Sequence, residues 1–392
     1  MVSPVTVGVA VVGAGPGGLA VAGALKETGI EAVVLEESGA VGASWRHHYD
    51  RLHLHTVRWL SGLPGFAIPR HYGRWVSRAD LVTYLEEYTR RLGLEVRTGT
   101  RVERIESDPS GWLLRTATGA VLARQVVVAT GYNREPLLPD WPGREAFAGR
   151  LLHSAEYRNG KPFAARDVLV VGSGNSGAEI AVDLVESGAR QVFISVRTPP
   201  NIQRRAVLGL PTQVIGVLAS RLPGPLIDRI SLAMQKSAIG SLEEFGLSAP
   251  LRGVHARVLD DEQIPLIDVG FIAALRNRQV SVVPGVVGFD AAGVVLEGGR
   301  RLRVDDVVAA TGYRRALESL VGHLDVLGPS GRPRANGAAQ IPDRPGLFFI
   351  GYTNPLGGNL REMAIDARRI ASAIRVLRSS RVAKTSGGGG GS

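Results

Sequence analysis

The apolar positions of this chain alternate between unbroken β-branched runs and stretches of helical spacing. Residues 7–12 form one such run and predict a strand buried on both faces. A glycine-rich turn follows at 13–18. A helical stretch over 19–28 is ended by Gly29, and a second strand is expected over 31–35. This is a βαβ unit. Residues 78–92 predict a helix with Leu81, Leu85 and Tyr88 on one face, and 95–106, 112–116 and 121–129 predict strands of a smaller sheet. Then the pattern restarts. Residues 167–171 predict a strand, 172–177 are glycine-rich, a helix runs to 187, and 191–196 predict a further strand. The second βαβ unit begins about 160 residues after the first and is the internal repeat of the chain. Helical pieces punctuated by Pro and Gly fill 199–265. Strands are expected at 280–287, 293–297, 306–310 and 347–350, and an amphipathic helix at 359–378. The fold class is α/β with two Rossmann-like domains.

Both glycine turns sit between a strand and a helix, the context that gives a GxGxxG spacing its meaning. Gly13 allows the tight turn, Gly15 lets backbone approach a pyrophosphate beside Pro16 and Gly17, and Gly18 lets helix and strand pack closely. Gly172, Gly174 and Gly177 match these roles in the second unit, with Ser173, Asn175 and Ser176 between them. Glu36 lies 23 residues beyond Gly13, where a carboxylate accepts from ribose hydroxyls and repels a 2′-phosphate. The corresponding position of the second unit is Ser195, followed by Arg197, Arg204 and Arg205, which suit a 2′-phosphate. The first site is expected to take FAD or NAD and the second NADP. Two dinucleotides on one chain imply electron transfer between them, and hydride needs an acceptor such as flavin.

Composition narrows the chemistry. The 392-residue chain has no cysteine, which excludes disulfide, thiolate and dithiol mechanisms. The net charge is +10, carried by four lysines and 42 arginines spread along the chain, so the excess reads as arginine-rich usage and no nucleic-acid partner is expected. The first residues enter an apolar strand without a basic leader. The longest apolar stretch, 206–219, is interrupted by Gly209, Pro211, Thr212 and Gln213. A cytoplasmic protein without an integral membrane segment is the expectation. Residues 379–392, which end in a glycine run, read as a flexible tail or linker.

More specific residues lie between the two glycine turns. Phe147, Gly149, His153 and Tyr157 fit FxGxxxHxxxY. In this the chain resembles the class B flavoprotein monooxygenases of the flavin-containing type. The stretches 49–55, 171–179, 265–270, 282–285 and 310–313 are most similar to the YUCCA-type branch and its bacterial relatives. Tyr157 stands where Baeyer–Villiger enzymes typically carry Trp. The resemblance spans about residues 6–378. It implies that NADPH reduces FAD and that O2 then forms a C4a-(hydro)peroxyflavin. That adduct would place one oxygen on a small organic substrate such as a sulfide, an amine or a 2-oxo acid. Baeyer–Villiger oxidation of a ketone is one alternative. Others are an NADPH oxidase or flavin reductase releasing hydrogen peroxide, and a non-catalytic dinucleotide-binding regulator.

The resemblance also implies residue roles. Trp45 is the last residue of the GxxW segment 42–45 expected along the flavin, with Arg46, Val102, Thr130, Gly131, Asn359 and Leu360 around it. Thr311, Gly312 and Tyr313, with His153, are expected at NADPH. His55, Thr56 and Tyr157 are the catalytic candidates, His55 standing near the position of an active-site Asn in other flavin-containing monooxygenases. His47, His48, His53 and His55 lack the carboxylate pattern of a catalytic zinc site, and no metal is expected. The expected layout is a flavin domain over 1–163 and 304–378 with an NADPH domain inserted at 164–303. Residues 206–230 would line a substrate channel, with a homodimer contact or a membrane-surface contact as alternatives.

Overall fold

The computed structural model describes residues 4–386. Strand β1 (Val5–Val12) leads through the first glycine turn into helix α1 (Pro16–Glu27), and β2 (Val33–Leu35) follows. After α2 (Arg78–Arg91) come β3 (Glu95–Arg97), β4 (Val102–Asp108), β5 (Gly111–Thr116) and β6 (Gly119–Val128). The second half begins with β7 (Arg150–His153), β8 (Asp167–Val171), α3 (Asn175–Glu186) and β9 (Gln191–Ser195). Helices α4 (Thr212–Ala219) and α5 (Gly224–Ile239) precede β10 (Val280–Val283), β11 (Val286–Asp290) and β12 (Gly293–Leu296). Strand β13 (Asp306–Ala309), β14 (Leu347–Phe349) and α6 (Asn359–Ser386) complete the chain.

Two sheets organise these elements. The first has the order β3-β2-β1-β6-β5-β4, with β14 also paired to β6. Its β3-β2-β1-β6-β14 part is parallel, and β4-β5-β6 is an antiparallel meander. The second sheet is parallel throughout, in the order β10-β9-β8-β13-β7. Strand order reverses at β1|β6 in one sheet and at β8|β13 in the other, and both glycine turns open at these switch points, where open α/β sheets bind ligands. Helices α1 and α6 pack together over the first sheet in one apolar cluster, and α3 covers the second.

Three sequence expectations change. Residues 95–106 are two strands, because the chain turns at Gly99 (φ +64°) and Gly99 and Thr100 donate backbone hydrogen bonds to Ser38 and Glu36. That turn brings Thr100 and Val102 to the rim of a cavity. Residues 280–287 divide at Pro284, with β10 in the parallel sheet and β11 in a separate antiparallel one. The final helix continues to Ser386, past the expected end at 378, and 387–392 lie outside the described residues.

Domain membership also differs from the division at 163/164 and 303/304. Strands β7 and β13 were expected in the flavin domain, yet they pair with each other and β13 pairs with β8 in the second sheet. Short parallel strands carry no local mark of the sheet they join. The two crossing segments meet as a small ribbon, Tyr313 opposite Pro136 and Arg314 opposite Glu135.

Candidate functional site

The two glycine turns are built to one plan. At Gly13 (φ +107°) a Cβ would lie 2.6 Å from the Ala129 carbonyl oxygen, and at Gly172 (φ +113°) one would lie 2.4 Å from that of Ala310. At Gly18 and Gly177 a Cβ would fall 1.9 Å from the carbonyl oxygens of Gly13 and Gly172. These four positions hold helix against strand. At Gly15 and Gly174 a Cβ would meet nothing within 4 Å. Backbone there faces open space at a helix N-terminus, where unpaired N–H groups and the helix dipole favour a phosphate. The residues present therefore fit a pyrophosphate at each turn.

The first turn opens into a cavity of about 300 Å³. Gly13, Gly15, Pro16, Gly17, Glu36, Val102, Thr130, Gly131 and Tyr313 line it, as do His48, Met363 and Ala155. Glu36 is buried, and its carboxylate accepts from the backbone N–H groups of Ala14 (2.7 Å) and Ser38 (2.8 Å). Both bonds fix the carboxylate at the cavity wall, with lone pairs left for ribose hydroxyls. Burial, then the charges of Arg78 and Arg158, pull His48 down to about 4.

A second cavity, of about 320 Å³, lies one turn of α6 away. Asn359 and Leu360 line it, whereas Met363 lines the first. Trp45, His55 and Thr56 also line the second cavity. His55 Nε2 stands 2.9 Å from Oε1 of Glu179 on α3, a close polar contact in which neither atom meets the geometry of a hydrogen bond. Glu179 is 3% exposed. A segment of the first body and a helix of the second therefore share this contact. Thr56 Oγ1 is 2.8 Å from Ser61 Oγ.

Residues 206–230 form one wall of the second cavity, through Thr212, Gln213, Ile215, Gly216 and Ile227. Gln213 is buried and acts as a brace. Its Oε1 accepts from the Val57 N–H and its Nε2 donates to the Gly357 carbonyl, each at 2.8 Å. Sequence reading gave no role to Glu179 or Gln213, although each lay within a stretch it singled out, 171–179 and 206–230, and it placed Arg205 at a 2′-phosphate, whereas Arg205 lines the second cavity.

Other expected residues stand elsewhere. Tyr157 lines neither of these two cavities. It is 1% exposed in the core beside Phe163, and its hydroxyl donates to Asp183 Oδ2 at 2.6 Å. Burial and Asp183 push its hydroxyl far above the usual tyrosine range, which suits an anchor and not a proton-transfer group. Arg46 turns from both cavities, donating to the Val41 carbonyl and pairing with Glu86 on α2. Ser195 is buried and donates to the Pro284 carbonyl at 2.8 Å, and Arg204 donates to the Ala238 carbonyl at 2.8 Å. Arg197 is exposed just beyond the end of β9. Asn175 spends its side chain on residues 265–267, donating to the Pro265 carbonyl and accepting from the Ile267 N–H. Ser173 and Ser176 lie on the half-exposed second turn.

His153 and the second Thr-Gly turn form the junction. His153 Nδ1 accepts from the Ala155 N–H and its Nε2–H donates to the Gly312 carbonyl, both at 3.1 Å, which sets a neutral tautomer; burial lowers its pKa. Its ring meets Tyr313 edge-on at 5.0 Å. Thr311 donates to the Leu137 carbonyl. Among the described residues no group of His, Cys, Asp and Glu could hold a metal ion, and no helix is long and apolar enough to cross a membrane.

Comparison with known proteins places the chain in a family. The family model described as pyridine nucleotide-disulphide oxidoreductase matches residues 10–207, although this chain has no cysteine for disulfide chemistry. An indole-3-pyruvate monooxygenase, YUCCA1 of Oryza sativa subsp. japonica, is 36% identical over 373 residues, 94% of this chain and 91% of the relative. A flavin-containing monooxygenase from Stenotrophomonas maltophilia superposes with a TM-score of 0.69 at 27% identity, over 94% of this chain and 99% of that one. Cyclohexanone monooxygenase from Rhodococcus sp. Phi1 shares the fold, with a TM-score of 0.72 at 20% identity over 96% of this chain and 85% of that one. The chain therefore belongs to the YUCCA-type flavin-containing monooxygenases and is an FAD- and NADPH-dependent enzyme.

Proposed function

We propose that this enzyme oxygenates an aromatic 2-oxo acid of the indole-3-pyruvate kind. The observation that carries this reading is the apolar second cavity, one helical turn from the first dinucleotide cradle, in a chain 36% identical to an indole-3-pyruvate monooxygenase. Bound FAD would supply the activation of O2, with NADPH as the source of electrons. The overall change balances as 2-oxo acid + O2 + NADPH + H+ giving the shortened acid + CO2 + H2O + NADP+.

The residues of the chain bind and orient. Gly15 and Gly174 would present backbone to the two pyrophosphates, and Glu36 would hold a ribose. Gln213 braces the segments around 57 and 357 and so fixes this part of the cavity wall. His55, held beside Glu179, faces the same cavity and is the group placed to hold or deliver a proton at its ring nitrogen.

The test is turnover with indole-3-pyruvate, phenylpyruvate, thioanisole, trimethylamine and cyclohexanone under 18O2. One 18O atom in the shortened acid, with CO2 equal to NADPH consumed, supports the reading. Oxygenation of only the sulfide, amine or ketone overturns the substrate assignment. Peroxide equal to NADPH with every substrate identifies an oxidase.

A further inference from the structure

The second cavity is mostly apolar and carries one permanent charge. No Asp, Glu or Lys lines it among the described residues, and Arg205 is its one guanidinium. Arg205 comes directly after Arg204, which ends a short strand, Ile202–Arg204. Consecutive residues of an extended segment point to opposite sides, so the two arginines part company. Arg204 turns to the Ala238 carbonyl, and Arg205 turns inward.

The environment of Arg205 is unusual for a cation. Its guanidinium lies 4.3 Å over the Trp75 ring, and Nη2 donates to the Leu54 carbonyl. Its Nε is buried with no hydrogen-bond partner. Burial lowers its pKa to about 10, and Glu179 is the one carboxylate whose charge bears on it. That carboxylate stands 2.9 Å from His55 and forms no ion pair with Arg205 among the described residues. A partly buried cation without a paired anion is a site that an anionic ligand can complete. A guanidinium fork against an aromatic face is the geometry that takes a carboxylate through two parallel hydrogen bonds.

We propose that Arg205 anchors the substrate carboxylate in the second cavity, and so selects carboxylate-bearing substrates over neutral molecules of the same shape. The apolar end of the ligand then lies along Ile215, Ile227, Ile230, Met234 and Leu356. This assignment rests on the reading above that the second cavity receives the substrate. It separates Arg205 from the arginines expected at the 2′-phosphate of NADPH.

The test uses the FAD-loaded enzyme without NADPH, so that binding is read apart from turnover. Phenylacetate and phenylacetamide have nearly the same shape and differ in charge. Their affinities are measured by calorimetry and by quenching of tryptophan fluorescence, since Trp75 lies under the guanidinium. The expected result is tighter binding of phenylacetate by the native enzyme. Arg205→Gln should weaken phenylacetate on the order of 10- to 100-fold and leave phenylacetamide unchanged. Arg205→Lys should retain part of the preference and carries the test if the Gln variant loads no flavin. Equal affinities in the native enzyme, an equal loss of both ligands in the variants, or a raised KM for NADPH with phenylacetate binding intact overturns the proposal. A native enzyme that prefers phenylacetate but yields no oxygenated product overturns the oxygenase reading alone.

Discussion

Two glycines three positions apart on the second turn should separate folding from cofactor binding. A Cβ at Gly177 would lie 1.9 Å from the Gly172 carbonyl oxygen and 3.0 Å from its carbon. Favourable non-bonded separations are about 3.5 Å, so α3 would have to retreat from β8 by more than about 1 Å or the Gly172 turn would have to open. Overpacking of this kind costs about 3 kcal/mol, a fall in Tm of roughly 6–12 °C for a domain of this size. Gly174 has φ −77° and ψ −176°, open to any residue, and its Cβ would touch no protein atom within 4 Å. Gly174→Ala should therefore leave Tm unchanged or raise stability by about 0.4–1 kcal/mol through the unfolded chain. Its methyl group would stand where the pyrophosphate approaches. Loss of the charged backbone hydrogen bonds predicts a KM for NADPH raised about 10- to 100-fold. The assays are thermal unfolding, flavin content and anaerobic reduction of the bound flavin by NADPH. Both variants should keep FAD, because the first turn is untouched. An unchanged KM in Gly174→Ala, or a native Tm in Gly177→Ala, refutes the assignment of the two positions.

Three further outcomes are expected. Asp306 is fully buried between Arg150 and Arg166, so Asp306→Asn should cost about 3 kcal/mol in denaturant unfolding; a loss below about 1 kcal/mol contradicts the pairing. Tyr157→Phe removes the donor to Asp183 and should lower stability by about 1–3 kcal/mol while NADPH-driven flavin reduction continues; a folded variant with abolished reduction would return Tyr157 to a catalytic role. His48 has a folded pKa near 4 against 6.5 when free, so the unfolded chain takes up its proton first. The stability from keeping it neutral is present above pH 6.5 and falls by roughly 3 kcal/mol as pH drops to 4, and His48→Asn should flatten that part of the profile.

Much of this protein is written in its local pattern. The strands before Gly13 and Gly172, the glycine spacings and the helices after them follow from steric and hydrogen-bonding needs that act within a few residues. So do the acidic end of β2 at Glu36 and the absence of thiol chemistry. The match of 147–157 to a family motif was legible for the same reason, but the role of its last residue was not. Whether Tyr157 faces a cofactor or a core depends on α3, which supplies Asp183 from 26 residues further on.

What only the tertiary structure decided are relations across long loops. Strands β7 and β13 join the second sheet because their partners lie across it, information that no short run of residues carries. Arg204 and Arg205 look alike in sequence, yet strand alternation and the packing of Trp75 send one to a backbone carbonyl and the other into the apolar cavity. Glu179 meets His55 across 124 positions of chain, and Gln213 joins two loops 300 positions apart. Local sterics fix turns and caps, whereas the place of a buried charge is set by which surfaces close over it. Desolvation is a property of the assembled fold.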